Sequence, residues 1–510
     1  MSGMGASHAV VIGSGFGGLA AAVRLRMKGY RVTVLEALDQ PGGRARVFRR
    51  DGFTFDAGPT VITAPYLIEE LFQMTGRSLA DYARLVPVDP FYRVLFKDGS
   101  HFDYVGEEER ILAQIATFSP RDVDGYRKLA AHAERIFDVG YTRLADQPFH
   151  RAADMIRVIP EMMRLESHRT VHGLVSRYIR DERLRRVFTF EPLLVGGNPF
   201  STTSIYLLIH WLERKWGVHF AMGGTTSLVW ALVRLLEELE VEVRMESPVE
   251  HIEVSGGRAV AVRTASGERI SCDIVVSNAD PTHVYSRLIE PQHRRRHSDR
   301  ALRRVRQSMS LFVAYFGSTR QYPELAHHTI VLGDRYRDLL KDIFRRRILA
   351  DDFSLYLHAP TRTDASLAPA GHEAFYVLSP VPNNLSGIDW EREAEPYFER
   401  ITAEMETRLL PGLSANLVST SFLTPNDFEH TLRSPHGAAF GPEPILTQSA
   451  YFRYHNQSAD VGGLYFVGAG THPGGGVPGV LSSAKVLDRV VPAPARALTA
   501  PPTGSRGRGG

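Results

Sequence analysis

The opening of the chain changes hydrophobic period twice within thirty residues. Residues 9–12 form a short apolar, β-branched run, residues 17–28 place Ala and Leu at helical spacing, and residues 31–35 alternate before ending at Glu36. The pattern predicts strand, glycine turn, helix and strand, a single βαβ unit. Helical period then governs much of 65–75, 107–138, 152–186 and 225–239, with strand-like pieces at 91–96 and 101–104. Residues 241–249, 251–254, 259–264 and 270–277 read as successive short strands, punctuated by Ser255-Gly256-Gly257 and Ala265-Ser266-Gly267, which suggests a meander. Strand patterns return at 308–317 and 353–358, and helical period returns at 390–410. An apolar strand from Leu464 leads into a glycine-rich loop and a helix over 480–490.

Two uncharged stretches, 192–212 and 461–484, have the length of a membrane span. The first contains Gly196-Gly197-Asn198-Pro199, and the second a glycine run and two prolines, so neither can hold a continuous helix. No fixed-period repeat is present. The segment 494–510, rich in Pro, Gly and Ala, has little to bury and reads as a disordered tail.

At 510 residues the chain has room for two or three domains, and 43% hydrophobic with 23% charged residues is ordinary globular composition. Its 60 basic and 57 acidic side chains nearly cancel, which gives no whole-protein attraction to nucleic acid. Basic residues do cluster at 293–306 and 345–347, as a solvated helix face or a contact for anionic lipid headgroups. The single cysteine, Cys272, excludes an intrachain disulfide and reads as inert core. The amino terminus lacks the basic and apolar blocks of a signal peptide. The 20 histidines show no metal-ligand spacing, and no nucleophile elbow follows a strand, so neither a metal site nor a serine hydrolase is expected.

Gly13-Ser-Gly15-Phe-Gly17-Gly18 matches G-x-G-x-x-G between a predicted strand and a predicted helix. Its glycines allow a tight turn, close approach of backbone to a pyrophosphate, and close helix packing, while the helix amino terminus favours an anion. Glu36 closes the second strand about 20 residues on, where a carboxylate accepts from ribose hydroxyls and would repel a 2′-phosphate. That leaves NAD or the adenosine half of FAD.

Pro41-Gly42-Gly43-Arg44 and Phe55-Asp56-Ala57-Gly58-Pro59-Thr60 follow, and Gly468-Ala-Gly470-Thr471-His472 opens the loop that ends at Gly479-Val480. Between them lie PFYRV, SPRDVDGYR, LLVGGNPFSTTSIY, WGVHFAMGGT, SNAD, DFSLYLHAP, YVLSPVP and EPILTQSAYFRYHN, in that order. On these residues the chain, over 8–490, resembles the bacterial-type phytoene desaturases of the flavin amine oxidase superfamily. The resemblance implies an α/β fold with a Rossmann-like FAD-binding domain at 1–75, 225–290 and 455–493. The substrate and membrane-associated α+β domain would then be 76–224 and 291–454. It implies FAD contacts at Gly13, Gly15, Gly17, Gly18, Glu36, Gly43, Arg44, Gly58, Val249, Gly468, Gly470, Thr471, Gly479 and Val480. It further implies hydride transfer from phytoene or a related carotenoid to the flavin, with reoxidation by a quinone or oxygen, at the cytoplasmic side of a membrane. Asp154 and Arg157 match the family's D-x-x-R, discussed there as an acid/base and charge pair, and His472 is a further candidate in the flavin loop.

A linear hydrocarbon offers no charge or hydrogen bond, so its site must be a long apolar tunnel opening at a membrane, and 187–212 and 216–222 supply candidate lining. The same resemblance covers a later-pathway desaturase or a carotenoid isomerase. A non-redox prenyl-lipid carrier such as a GDP-dissociation inhibitor would need none of the flavin motifs.

Overall fold

The βαβ unit at the start of the chain becomes the centre of a five-stranded sheet. In the computed structural model, which describes residues 6–497, strand His8–Ile12, helix Phe16–Met27 and strand Arg31–Leu35 form that unit. The strands pair in parallel with His8 opposite Arg31. Segments distant in sequence extend the sheet to the order Leu464–Phe466, Ile274–Ser277, His8–Ile12, Arg31–Leu35, Glu242–Arg244, parallel throughout.

A parallel sheet must be covered on both faces. Ala9, Val11, Val32 and Val34 face a core shared with helices Phe16–Met27, Thr226–Glu238 and Val477–Val490. Val10, Ile12 and Leu35 face a core shared with the antiparallel meander Val249–Ser255, Arg258–Thr264, Arg269–Ser271. Cys272 leaves the meander half-buried, and burial pushes its thiol up to about 12.

Arg496 donates its backbone N–H to Ser7 Oγ (3.3 Å) and accepts from Ser7 N (2.9 Å), which holds this part of the tail beside the residue before the first strand. The rest of the expected tail, 498–510, lies outside the described residues.

The second sheet has seven strands, ordered Leu417–Leu423, Ser310–Ser318, Glu373–Val381, Leu355–His358, His328–Val331, Tyr92–Leu95, His101–Tyr104. One pair, His328–Val331 with Tyr92–Leu95, is parallel; the others are antiparallel. Strand Glu373–Val381 escapes sequence pattern because it is buried on both faces and carries Pro380, which normally argues against a strand. Strand His328–Val331 escapes it because an imidazole and a hydroxyl are buried there.

Long helical readings break where backbone chemistry demands. The stretch 107–138 divides into Glu108–Phe118 and Val123–Phe137 at Ser119-Pro120, since the residue before proline disfavours the helical region. The stretch 152–186 divides into Ala152–Arg164, Val171–Tyr178 and Glu182–Val187. The strand reading 270–277 divides between two sheets at Asp273, whose carboxylate accepts from His8 N at 2.7 Å. No described helix is long and apolar enough to cross a membrane. Between the two sheets and the helical layer lies a cavity of about 720 Å³.

Candidate active site

One end of the cavity is built from the glycine turn. Gly13 turns the chain off the first strand at φ +91°, a conformation that strongly favours glycine. Gly17 lies so close to the C-terminal loop that an added Cβ would stand 3.1 Å from Gly468 Cα and 2.4 Å from Asn278 Oδ1. Glu36 is buried, and its Oε2 accepts from both Ser14 N and Ser14 Oγ at 2.7 Å. The carboxylate is thereby fixed at the end of its strand, where a ribose would meet it.

Arg44 reaches the same wall. Its Nη2 donates to Ser434 Oγ at 2.6 Å, while its buried Nε has no partner among the described residues. Burial lowers the guanidinium's proton affinity, and Asp280 partly restores it. Arg453 ties down the C-terminal loop by donating from Nε to Thr471 O (3.0 Å) and from Nη2 to Ala469 O (2.6 Å), leaving its buried Nη1 without a partner among the described residues. Two cationic side chains with spare donors, Arg44 half-buried and Arg453 buried, beside close-packed glycines and the amino terminus of helix Val477–Val490, suit a dinucleotide pyrophosphate.

Of the residues expected at the cofactor, Gly13, Gly15, Glu36, Gly43, Arg44, Gly58, Val249, Gly479 and Val480 line the cavity. Gly17, Gly18, Gly468, Gly470 and Thr471 stand behind that wall, where the glycines permit close packing and Thr471 Oγ1 donates to Tyr454 O (2.7 Å). Asn278 and Asp280 also line it. No local pattern singled them out as site residues, because their position follows from strand Ile274–Ser277 inserting beside the first strand.

Beyond the cradle the wall is almost wholly apolar. Residues Leu193, Val195, Ile205, Leu208, Ile209 and Leu212 come from the stretch expected to line a tunnel. The other expected stretch, 216–222, turns elsewhere: Trp216 packs on Tyr66, Phe137 and Tyr141, Phe220 is core, and Met222 packs against that core. His472 lines the cavity edge-on to Phe149 (5.1 Å), and burial holds its imidazole neutral, with a pKa of about 4. Asp154 caps its helix by accepting from Arg151 N at 3.2 Å, and Arg157 is exposed. Neither lines the cavity, whereas Met155, Ile159, Met162 and Met163 of the same helix do.

Two polar clusters adjoin the apolar wall, which Tyr356 and Glu213 reach from them. His327, His328 and His358 are buried, with a ring nitrogen of each within 4.8 Å of the others, a grouping that chain spacing gave no sign of. Burial pushes all three down, His327 to about 3. They are therefore neutral, and His328 Nδ1 meets Tyr356 OH (2.7 Å), which reaches the cavity residue Thr60 (2.6 Å).

In the second cluster Tyr92 OH donates to Glu213 Oε1 (2.7 Å), and Tyr104 OH donates to Glu191 Oε1 (2.9 Å) while contacting His210 Nδ1. Burial pushes Glu191 up to about 8 and His210 down to about 3, so the 3.5 Å contact between them is not an ion pair at neutral pH. Glu213 lies well above the usual carboxylate range, first through burial and then through Glu191.

This raised affinity fixes a sign. Folded Glu191 keeps a proton that the unfolded chain releases above 4.5, so its contribution to stability is complete below that pH and is lost as pH rises towards 8. The slope for one such proton is at most about 1.4 kcal/mol per pH unit. Melting temperature should therefore fall between those limits in the wild type and fall less steeply in Glu191→Gln, as followed by circular dichroism. Parallel curves would refute the assignment.

Residues 16–486 match the family model for flavin containing amine oxidoreductase. A phytoene desaturase (lycopene-forming) of Pseudescherichia vulneris is 50% identical over 479 residues, covering 93% of this chain and 97% of that protein. A phytoene desaturase (neurosporene-forming) of Rhodobacter capsulatus is 42% identical over 494 residues, covering 96% and 94%. Among solved structures, an oxidoreductase from Methanosarcina mazei has a TM-score of 0.65 at 14% identity, covering 94% of this chain and 100% of that one. Cyclohexylamine oxidase from Brevibacterium oxydans has a TM-score of 0.59 at 14% identity, covering 95% and 100%. These last two are likenesses of fold alone.

Proposed function

The chain belongs to the flavin-containing amine oxidoreductase family, and we propose that within it the protein is an FAD-dependent phytoene desaturase drawing its substrate from a membrane surface. The observation that carries this reading is the continuity of one cavity. It runs from the nucleotide cradle at Glu36 and Arg44, past apolar walls, to Met155, Met162, Met163 and Leu446. The relatives at 50% and 42% identity carry the substrate class.

FAD, when bound, supplies the hydride acceptor. Glu36 and Arg44 would hold its ribose and pyrophosphate, and Val249 and the Gly468–Gly479 loop would close over it. The apolar walls take up the polyene and exclude water, so the orientation of the chain is set by shape alone. Each turnover removes a hydride and a proton from neighbouring carbons and leaves one more conjugated double bond. The flavin would then be reoxidised by a quinone or oxygen. The division into a cofactor domain at 1–75, 225–290 and 455–493 and a substrate domain between them is part of the same reading.

The mouth of the cavity supports membrane docking. Helix Ala152–Arg164 has no buried residue. Its Ile156 (65% exposed) and Met163 (55%) are exposed apolar side chains, as are Leu446 (45%) and Phe452 (56%), and the helix packs on the turn Ala450–Phe452. Exposed Arg306 pairs with buried Glu443 at 2.8 Å, whose carboxylate also feels Arg345, so cations flank this apolar rim. An apolar surface rimmed by cations suits anionic lipid.

The test is anaerobic incubation of the FAD-loaded protein with phytoene in liposomes. Flavin absorbance should bleach in step with the appearance of longer-wavelength polyene bands. If neither signal changes after liposome binding has been confirmed, phytoene is the wrong substrate. A changed polyene without added double bonds would make the protein an isomerase.

A further inference from the structure

A hydrocarbon substrate gives a carboxyl group nothing to bind, yet Glu213 stands in the wall of the cavity among Ile209, Leu212 and Leu208. It is 1% exposed, with Oε1 held by Tyr92 OH and Oε2 buried without a protein partner among the described residues. Burying a polar oxygen without a hydrogen bond costs about 1–3 kcal/mol on protein scales, and an ionised one costs more. Apolar residues fill the neighbouring wall positions, so an unused carboxyl oxygen here has a cost that packing alone does not explain.

We propose that Glu213 is the catalytic proton acceptor of the desaturation, its free carboxylate oxygen taking the proton from the carbon next to the one that yields hydride. This rests on the desaturase reading above. The step balances. One C–H bond breaks with its electron pair leaving as hydride to the flavin, the oxidant. The neighbouring C–H bond breaks with its proton going to Glu213, and the electron pair it leaves becomes the new C=C bond. As positive charge develops on the allylic system, a carboxylate in a dry, apolar wall opposes it at short range.

The surroundings set the base strength. Tyr92 comes from one strand and Tyr104 from the next, Glu191 from the turn Glu191–Val195, and His210 and Arg214 from the helix that carries Glu213. Tyr92 also faces the neutral ring of His328 (5.9 Å) and feels Tyr356. Arg214 is engaged by Glu108 at 3.2 Å. Glu191 is the neighbour whose charge most disfavours ionisation of Glu213. It acts as a positioning residue for the proton and does not line the cavity.

The experiment compares wild type, Glu213→Gln and Glu191→Gln, each loaded with FAD and matched for flavin content. The glutamine at 213 keeps an oxygen for Tyr92, so folding should survive. Infrared spectra of the flavoprotein without substrate should show protonated carboxyl absorption in the wild type, of which one component band is lost as pH rises and is missing from Glu213→Gln. Anaerobic flavin reduction by phytoene in liposomes should quicken with pH as that band disappears. Glu213→Gln should be slower by about 10²–10⁴-fold, with a flat pH profile. Glu191→Gln should move both the band and the rate limb to lower pH. If Glu213→Gln reduces its flavin at close to the wild-type rate with the same pH profile, the proposal is overturned. A wild type that turns over no polyene instead sinks the desaturase reading, and this inference with it.

Discussion

Gly18→Ala should purify without flavin and turn over nothing. A Cβ at this position would stand 1.9 Å from the carbonyl oxygen of Gly13 and 3.1 Å from its carbonyl carbon. Both are main-chain atoms, so no side chain can move aside. Nor can Gly13 yield, since it leaves the strand at φ +91° and donates its N–H to Leu35 O at 2.8 Å. The methyl group must therefore push the first turn of helix Phe16–Met27 off the end of the strand and carry its amides away from the pyrophosphate. Overpacking of this kind costs about 1–3 kcal/mol of stability. Displacing the anion-binding turn should weaken FAD by at least about 100-fold, or about 2.7 kcal/mol. The ratio of flavin to protein absorbance after purification, and titration of the apoprotein with FAD, measure this directly. A stoichiometric flavin content at an unchanged melting temperature would show that the close approach of Gly18 is not needed.

Gly18 was legible in the sequence because its constraint is local: strand, turn and helix follow one another within thirty residues, each with its own period. Glu36 was placed for the same reason, whereas Arg44 was expected only from the family resemblance of Pro41-Gly42-Gly43-Arg44. Glu213 was not. It lies in a helix of the composition LIHWLERKW, in which a lone glutamate beside Arg214 and Lys215 reads as part of the polar face. Its burial is decided by Tyr92, more than a hundred residues away in sequence, arriving from the second sheet. Asn278, Asp280 and the three converging histidines were hidden in the same way, since strand order in a sheet is not written in the strands themselves. Asp154 and Arg157 lie in one helix, but spacing cannot say which face meets the cavity, and Met155, Ile159, Met162 and Met163 are the residues that do.

That helix carries the last expectation. Replacing Ile156, Ile159 and Met163 together by Glu should leave fold and flavin intact and release the protein from membranes. The three side chains are 65%, 44% and 55% exposed, so polar replacement removes little packing; surface changes of this sort usually stay within about 0.5 kcal/mol each. In a lipid interface the same side chains would each contribute roughly 1–2 kcal/mol, somewhat less than full burial. Three introduced carboxylates would also oppose the attraction that Arg306 and Arg345 exert on anionic headgroups. The sum corresponds to a loss of at least about 100-fold in liposome partitioning, read by co-sedimentation. Anaerobic bleaching by phytoene in liposomes should disappear, while bleaching by dithionite should persist. Ile159 and Met163 also line the cavity, so lost turnover alone could reflect a damaged tunnel. Ile156 does not line it, and Ile156→Glu by itself should weaken partitioning by about tenfold, or about 1.4 kcal/mol, with turnover recovered when the variant is driven onto liposomes at high lipid concentration. If the triple variant sediments with liposomes as the wild type does, the membrane meets the protein elsewhere, and the open end of the cavity at this helix has to be explained without it.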